Sequence, residues 1–202
     1  MTLLITGLPR SGTSFLLQMM NEEWNNFNPK IYTNYHLIEP DADLLFNLNE
    51  PQILSQALRH GDHATPIMDK IKEHYSDCEG ELLLKLPQMI ACSADTLEMN
   101  FEKIIICFRQ REGWEKSAIE HGIEGYLDER PEWLPDHVKT VAEIYSYFWA
   151  RCHYMMQRLS RITVKYNFCD DQSLDSVMKF LGYNREGVKH SDFEYWRGSR
   201  HE

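Results

Sequence analysis

No apolar run in the 202-residue chain approaches the length of a membrane span. The first such run, Thr2-Leu3-Leu4-Ile5-Thr6, is too short for a secretory leader and passes directly into a glycine-bounded loop. No Cys-x-x-Cys pair occurs. The cysteines, Cys78, Cys92, Cys107, Cys152 and Cys169, are odd in number, and several lie in apolar stretches. That pattern fits free core thiols in a reducing compartment. Positive charge is scarce, with 21 Lys and Arg against 31 Asp and Glu and a net charge of -10. This balance argues against a general nucleic-acid or anionic-membrane surface, but it leaves room for a small anion in a local cationic pocket. There is no repeat, low-complexity segment or convincing linker, so one domain over residues 1–202 is expected. A hydrophobic fraction of 43% with five Trp is ample for its core. The expectation is a soluble, cytoplasmic protein with neither nucleic-acid nor membrane partners.

What the chain does have is concentrated at its beginning. After the β-prone run come Gly7-Leu8-Pro9-Arg10-Ser11-Gly12-Thr13-Ser14, then the helix-like Phe15-Leu16-Leu17-Gln18-Met19-Met20. A buried strand, a glycine-bounded loop and a helix N-terminus in that order form an anion cradle, with backbone N–H groups and about half a positive charge from the helix. Gly7 and Gly12 have the GxxxxG spacing of an NTPase P-loop, but Thr13 stands where that motif needs Lys. The cation lies inside the loop, at Arg10.

Further along, the spacing predicts a helix over about Thr13–Trp24, then a loop or short strand around residues 30–40, which contain Tyr32, Tyr35, His36 and Glu39. Helical stretches are expected near residues 44–46, from Pro51, and over 66–75. His60-Gly61-Asp62-His63 reads as a polar loop rather than a metal site, since no further ligands stand at useful spacing. Leu82-Leu83-Leu84 reads as a buried strand ending in Lys85-Leu86-Pro87, with a helix following to about Asn100. Ile104-Ile105-Ile106-Cys107-Phe108 is the next strand, ending at Arg109, and a helix from Glu112 to His121 stops at Gly122. The longest helix is expected over about Asp136–Ser160. Its stripe of Val138, Val141, Tyr145, Phe148, Cys152, Met155 and Leu159 reads as core-facing rather than as a dimer seam, although a homodimer stays open. Ile162-Thr163-Val164, ending at Lys165-Tyr166, is a further strand, and Leu174, Val177, Met178 and Leu181 mark a last helix closed by Gly182. Strands separated by helices predict an α/β fold: three layers around a central parallel sheet with right-handed crossovers. Ligands bind such sheets at the carboxyl ends of the strands, where Arg10, Lys85 and Arg109 all fall.

Arg109 has a companion in Ser117, eight residues on. An arginine fork and a hydroxyl can close on one phosphate, so a ligand spanning this pair and the cradle carries two separated anionic groups. These residues resemble those of sulfotransferases that use 3′-phosphoadenylyl sulfate (PAPS). The Gly7–Ser14 loop is similar to the family's 5′-phosphosulfate loop, and Arg109 with Ser117 to its 3′-phosphate site. Lys85-Leu86-Pro87 is similar to its Lys-x-Pro element, and Val164-Lys165-Tyr166 with Phe180-Leu181-Gly182 to its C-terminal strand and helix. The resemblance runs through most of the chain in the family's order.

The resemblance implies a PAPS-dependent transferase that releases adenosine 3′,5′-bisphosphate, needs no metal, and acts on a small-molecule, carbohydrate or peptide acceptor. By the match, Arg10 sits at the bridging and leaving oxygens, and Ser11, Gly12, Thr13 and Ser14 cradle the 5′-phosphosulfate. Lys85 contacts the sulfuryl oxygens, Arg109 and Ser117 bind the 3′-phosphate, and Tyr166 lies near the adenosine. Two departures stand out. Many cytosolic members carry a catalytic His two residues after the strand-end Lys, where this chain has Pro87. The family's C-terminal Arg-Lys-Gly segment has only Trp196-Arg197-Gly198 as a faint counterpart. Members lacking that His, such as tyrosylprotein sulfotransferases, use a Glu after the first helix. Glu39 is the candidate base by that analogy and His36 the second. Tyr32, Tyr35, Trp114, Tyr126 and Trp133 are candidates for an acceptor mouth or for core packing. The alternatives are a P-loop nucleotide kinase, disfavoured by the missing Lys and by Arg109 in place of a Mg²⁺-holding Asp, and a non-catalytic nucleotide-binding relic.

Overall fold

A computed structural model of the protein describes residues 2–26, 35–38, 81–128, 134–183 and 186–194. The expected helices between residues 44 and 75, the His60–His63 loop, Cys78 and the Trp196–Gly198 segment lie outside them. The described elements are β1 (Thr2–Gly7), α1 (Thr13–Asn26), β2 (Tyr35–Ile38), β3 (Glu81–Lys85), a 3₁₀ turn (Pro87–Ala91), α2 (Ala94–Asn100), β4 (Lys103–Phe108), α3 (Arg111–Glu120), α4 (Gly125–Asp128), α5 (Val141–Arg158), β5 (Thr163–Asn167), α6 (Asp171–Leu181) and a final 3₁₀ turn (His190–Asp192).

The five strands form one sheet in the order β2-β3-β1-β4-β5, and every pairing is parallel. In β1 and β4, alternate residues supply two separate cores, because successive side chains point to opposite faces. Leu4, Ile104, Ile106 and Phe108 pack beneath α2, α3 and α5. Leu3, Ile5, Ile105 and Cys107 pack beneath α1 and α6. A two-sided sheet explains the unbroken apolar run Ile104–Phe108, and the result is the expected three-layer α/β architecture.

The stripe on α5 faces the core: Tyr145, Phe148, Cys152, Met155 and the following Leu159 are all buried there. The helix begins later than its sequence suggests. Thr140 is its N-cap, and the Thr140 and Glu143 side chains close reciprocally on the first turn, Glu143 N–H donating to Thr140 Oγ1 at 3.2 Å and Lys139 N–H to Glu143 Oε2 at 2.8 Å. The expected helix up to Asn100 is interrupted, since Ser93 adopts an extended conformation and caps α2 by accepting from Thr96 N–H. Gly182, at φ 90°, ends α6. Among the described residues, no helix is long and apolar enough to cross a membrane.

Candidate functional site

β1 occupies the middle of the sheet, with β3 and β4 as neighbours. The chain visits one side of β1 before the other, so its carboxyl end marks the place where parallel sheets open a crevice. The loop that leaves this end is held by its own backbone. Leu8 N–H donates to the Cys107 carbonyl at 3.1 Å, and Ser11 N–H to the Leu8 carbonyl at 3.1 Å. Gly7 has φ 133°, and a Cβ there would land on the Cys107 peptide. Gly12 has φ 84°, and its Cβ would collide with the Phe168 ring. Arg10 lies at φ 64°, in the left-handed region that non-glycine residues seldom enter and that recurs at functional sites. The N–H groups of Gly12, Thr13 and Ser14 make no hydrogen bond among the described residues. They head α1, whose dipole favours an anion there.

A cleft of about 830 Å³ opens against this loop. Arg10, Gly12, Thr13 and Ser14 line it from the loop, Lys85 and Pro87 from the end of β3, and Arg109 and Ser117 from β4 and α3. Seven of the eleven donor-site and catalytic candidates therefore share one cavity. Arg109 is half-buried, with its guanidinium 4.6 Å from the centre of the Phe168 ring. Burial lowers its pKa, Cys169 opposes that, and the positive Arg10 reinforces it. Arginine has enough reserve to remain charged. Arg109 Nη1 also donates to the Arg10 carbonyl at 3.2 Å, which ties the two cationic residues together. The Arg109 arm passes over Gly113, where an added Cβ would be in ordinary contact with Nε at 3.4 Å.

The remaining candidates are placed differently. Ser11 is fully buried and does not line the cleft, and its Oγ has no hydrogen-bond partner among the described residues. Tyr166 is corrected from an adenosine contact to a core residue. It is fully buried beneath α6, and its hydroxyl pairs with His190 Nε2 at 2.9 Å. Burial drives its pKa well up. His36 lies inside β2, opposite Leu82 and two residues short of the strand's end. Glu39 lies outside the described residues, as do Tyr32 and Trp133. Tyr35 opens β2, and Tyr126 belongs to α4. Of its two expected roles Trp114 takes core packing: it is buried, and its Nε1–H donates to the Pro9 carbonyl. Cys92, Cys107 and Cys152 are buried free thiols, as expected, but Cys169 is exposed at the cleft. Desolvation at the cleft wall raises the thiol pKa against the pull of Arg109.

Sequence reading passed over Lys116, Glu120, His121 and Phe168, all of which line the cleft. The signal for two of them was present. Glu120 and His121 follow Ser117 by three and four residues, the spacing that shares a helix face. His121 Nδ1–H donates to the Ser117 carbonyl at 2.8 Å.

The fold and site together define an α/β protein with a cationic, N–H-lined cleft at the carboxyl edge of a parallel sheet. Compared with models of known protein families and with curated proteins, the chain matches none.

Proposed function

We propose that this protein is a sulfotransferase that moves a sulfuryl group from PAPS to a hydroxyl or amine acceptor, in the cytoplasm. One observation carries the reading: the loop residues Arg10 and Gly12–Ser14, the strand-end Lys85, and the Arg109/Ser117 pair line the same cleft. PAPS has a 5′-phosphosulfate at one end of an adenosine and a 3′-phosphate nearby, so it matches two anion sites held by one loop and one helix. The buried Ser11 hydroxyl and the N–H groups of Gly12, Thr13 and Ser14, which have no partner among the described residues, fit a loop that receives an anion.

In the proposed reaction the acceptor oxygen forms a bond to sulfur while the bond from sulfur to the 5′-phosphate oxygen breaks. The electron pair leaves on that oxygen as adenosine 3′,5′-bisphosphate departs, and the acceptor proton passes to a base. Arg10 and the loop N–H groups stabilise the charge growing on the leaving oxygen, and Lys85 neutralises the sulfuryl oxygens. Arg109 and Ser117 hold the 3′-phosphate and so select this donor over ATP. Glu39 is the preferred base. It immediately follows β2, whereas His36 lies within the strand. Labelled PAPS incubated with a panel of phenols, sugars and peptides is expected to label one class, with EDTA present throughout. In the same assay Glu39→Gln should slow turnover by roughly 10²–10⁴-fold, the usual size of a general-base contribution. Donor binding without transfer to any acceptor points instead to a nucleotide-binding relic. No transfer from PAPS, but phosphoryl transfer from ATP that Mg²⁺ supports and EDTA abolishes, points to a kinase-like enzyme.

A further inference from the structure

Two buried aromatic residues hold backbone carbonyls at the rim of the cleft. Trp114, on the first turns of α3, has no exposed surface, and its Nε1–H donates to the carbonyl of Pro9 in the anion loop. Tyr145, on α5, donates its hydroxyl to the carbonyl of Arg109 at 3.2 Å. The two rings touch, with centroids 5.1 Å apart. Tyr145 stacks in turn on Trp149 at 5.3 Å, and Trp149 meets Phe108 edge-on at 5.3 Å. Neither donor can swing away without displacing the rings behind it.

Neither ring lines the cleft, so the carbonyls they hold face the core and not the ligand space. A peptide group is planar and trans, so fixing the carbonyl of Pro9 turns the N–H of Arg10 to the opposite side. Holding the Arg109 carbonyl likewise fixes the backbone from which the Arg109 side chain enters the cleft. A flipped Pro9–Arg10 peptide would present a carbonyl oxygen to the cleft, and a displaced Arg109 backbone would carry the guanidinium with it. The third carbonyl at the rim, that of Arg10, already accepts from Arg109 Nη1.

We propose that Trp114 and Tyr145 are positioning residues, Trp114 fixing the Pro9–Arg10 peptide and Tyr145 the backbone of Arg109, so that the cleft presents donors to a bound anion. This rests on the anion-binding part of the reading above. The test uses calorimetric titration of the full chain with adenosine 3′,5′-bisphosphate and, separately, with inorganic sulfate. Trp114→Phe and Tyr145→Phe keep a ring in the core and remove only the donor. Each should weaken binding about tenfold, the size of one net hydrogen bond. Met155→Ala, a buried change further along α5, should lower Tm without weakening binding. The amide resonances of Arg10 in Trp114→Phe and of Gln110 in Tyr145→Phe should shift or broaden, which lost packing alone would not single out. Unchanged affinity and unmoved amides in both folded variants would overturn the proposal. If wild type binds sulfate but not the bisphosphate, and the variants lose the sulfate, the sulfuryl-donor reading fails while this proposal stands. If wild type binds neither anion, both fail.

Discussion

Gly7 is the residue with the least freedom at the site. It combines a positive φ with a Cβ position already taken by the Cys107 peptide, and backbone cannot move aside as a side-chain tip can. Gly7→Ala is therefore expected to cost more than about 2 kcal/mol, among the larger single-residue effects, read as a fall in urea midpoint with an unchanged slope. A midpoint equal to that of wild type would mean that β1 and β4 are not so closely apposed. This requirement was legible in the sequence, because strand, loop and helix start are consecutive and the glycines mark their own turns. Arg10, Lys85 and Arg109 were legible for the same reason, each standing next to the end of an apolar run. Trp114 and Tyr166 were not. Nothing local distinguishes an aromatic ring that lines a cleft from one that plugs a core. Tyr166 points under α6 because of its parity along β5, and in a sheet buried on both faces either parity looks alike.

At the scale of elements, β5 and α6 are locked by a chain of polar contacts that runs from the core to the half-exposed Asp171. The Tyr166 hydroxyl meets His190 Nε2, and His190 Nδ1 and its backbone N–H both reach Asp171 Oδ1, at 2.7 and 2.9 Å. The lock fixes the strand end from which Phe168 and Cys169 enter the cleft. Burial works against the charge on Asp171, but the hydrogen bonds from the His190 backbone and ring outweigh it and hold the carboxyl below its ordinary value. A depressed carboxyl pKa stabilises the fold above the unfolded-state value, and the contribution disappears as pH falls through the folded-state value. Asp171→Asn should therefore lower Tm at pH 7, and the gap to wild type should close in the acid range below about pH 4, the ordinary Asp value. A gap that persists at low pH would show that the carboxylate charge plays no part. Boundaries of elements were harder to read than their existence. Pro135-Asp136 looks like a helix start, but the reciprocal Thr140/Glu143 cap places it at Val141, a spacing that was visible in the sequence. β2 was ambiguous because four residues are too few to establish a period.

The whole molecule sets a cationic cleft in a chain of net charge -10. Arg10, Lys85 and Arg109 come from three parts of the sequence, and only the parallel order β3-β1-β4 brings their strand ends side by side. That convergence was legible because parallel strands all present their carboxyl ends at one edge. The residues that complete the cleft from α3 and from beyond β5 depend on how the layers pack, which periodicity does not specify. The central claim is that the cleft reads two anionic groups, one at the loop and one at Arg109/Ser117. The most direct measurement is a calorimetric comparison of adenosine 3′,5′-bisphosphate with adenosine 5′-monophosphate, which differ only in the 3′-phosphate. Charge-assisted contacts contribute about 1.5–3 kcal/mol each, so the bisphosphate should bind at least about tenfold more tightly, and Arg109→Ala should erase most of the difference. Equal affinity of wild type for the two nucleotides would contradict the claim.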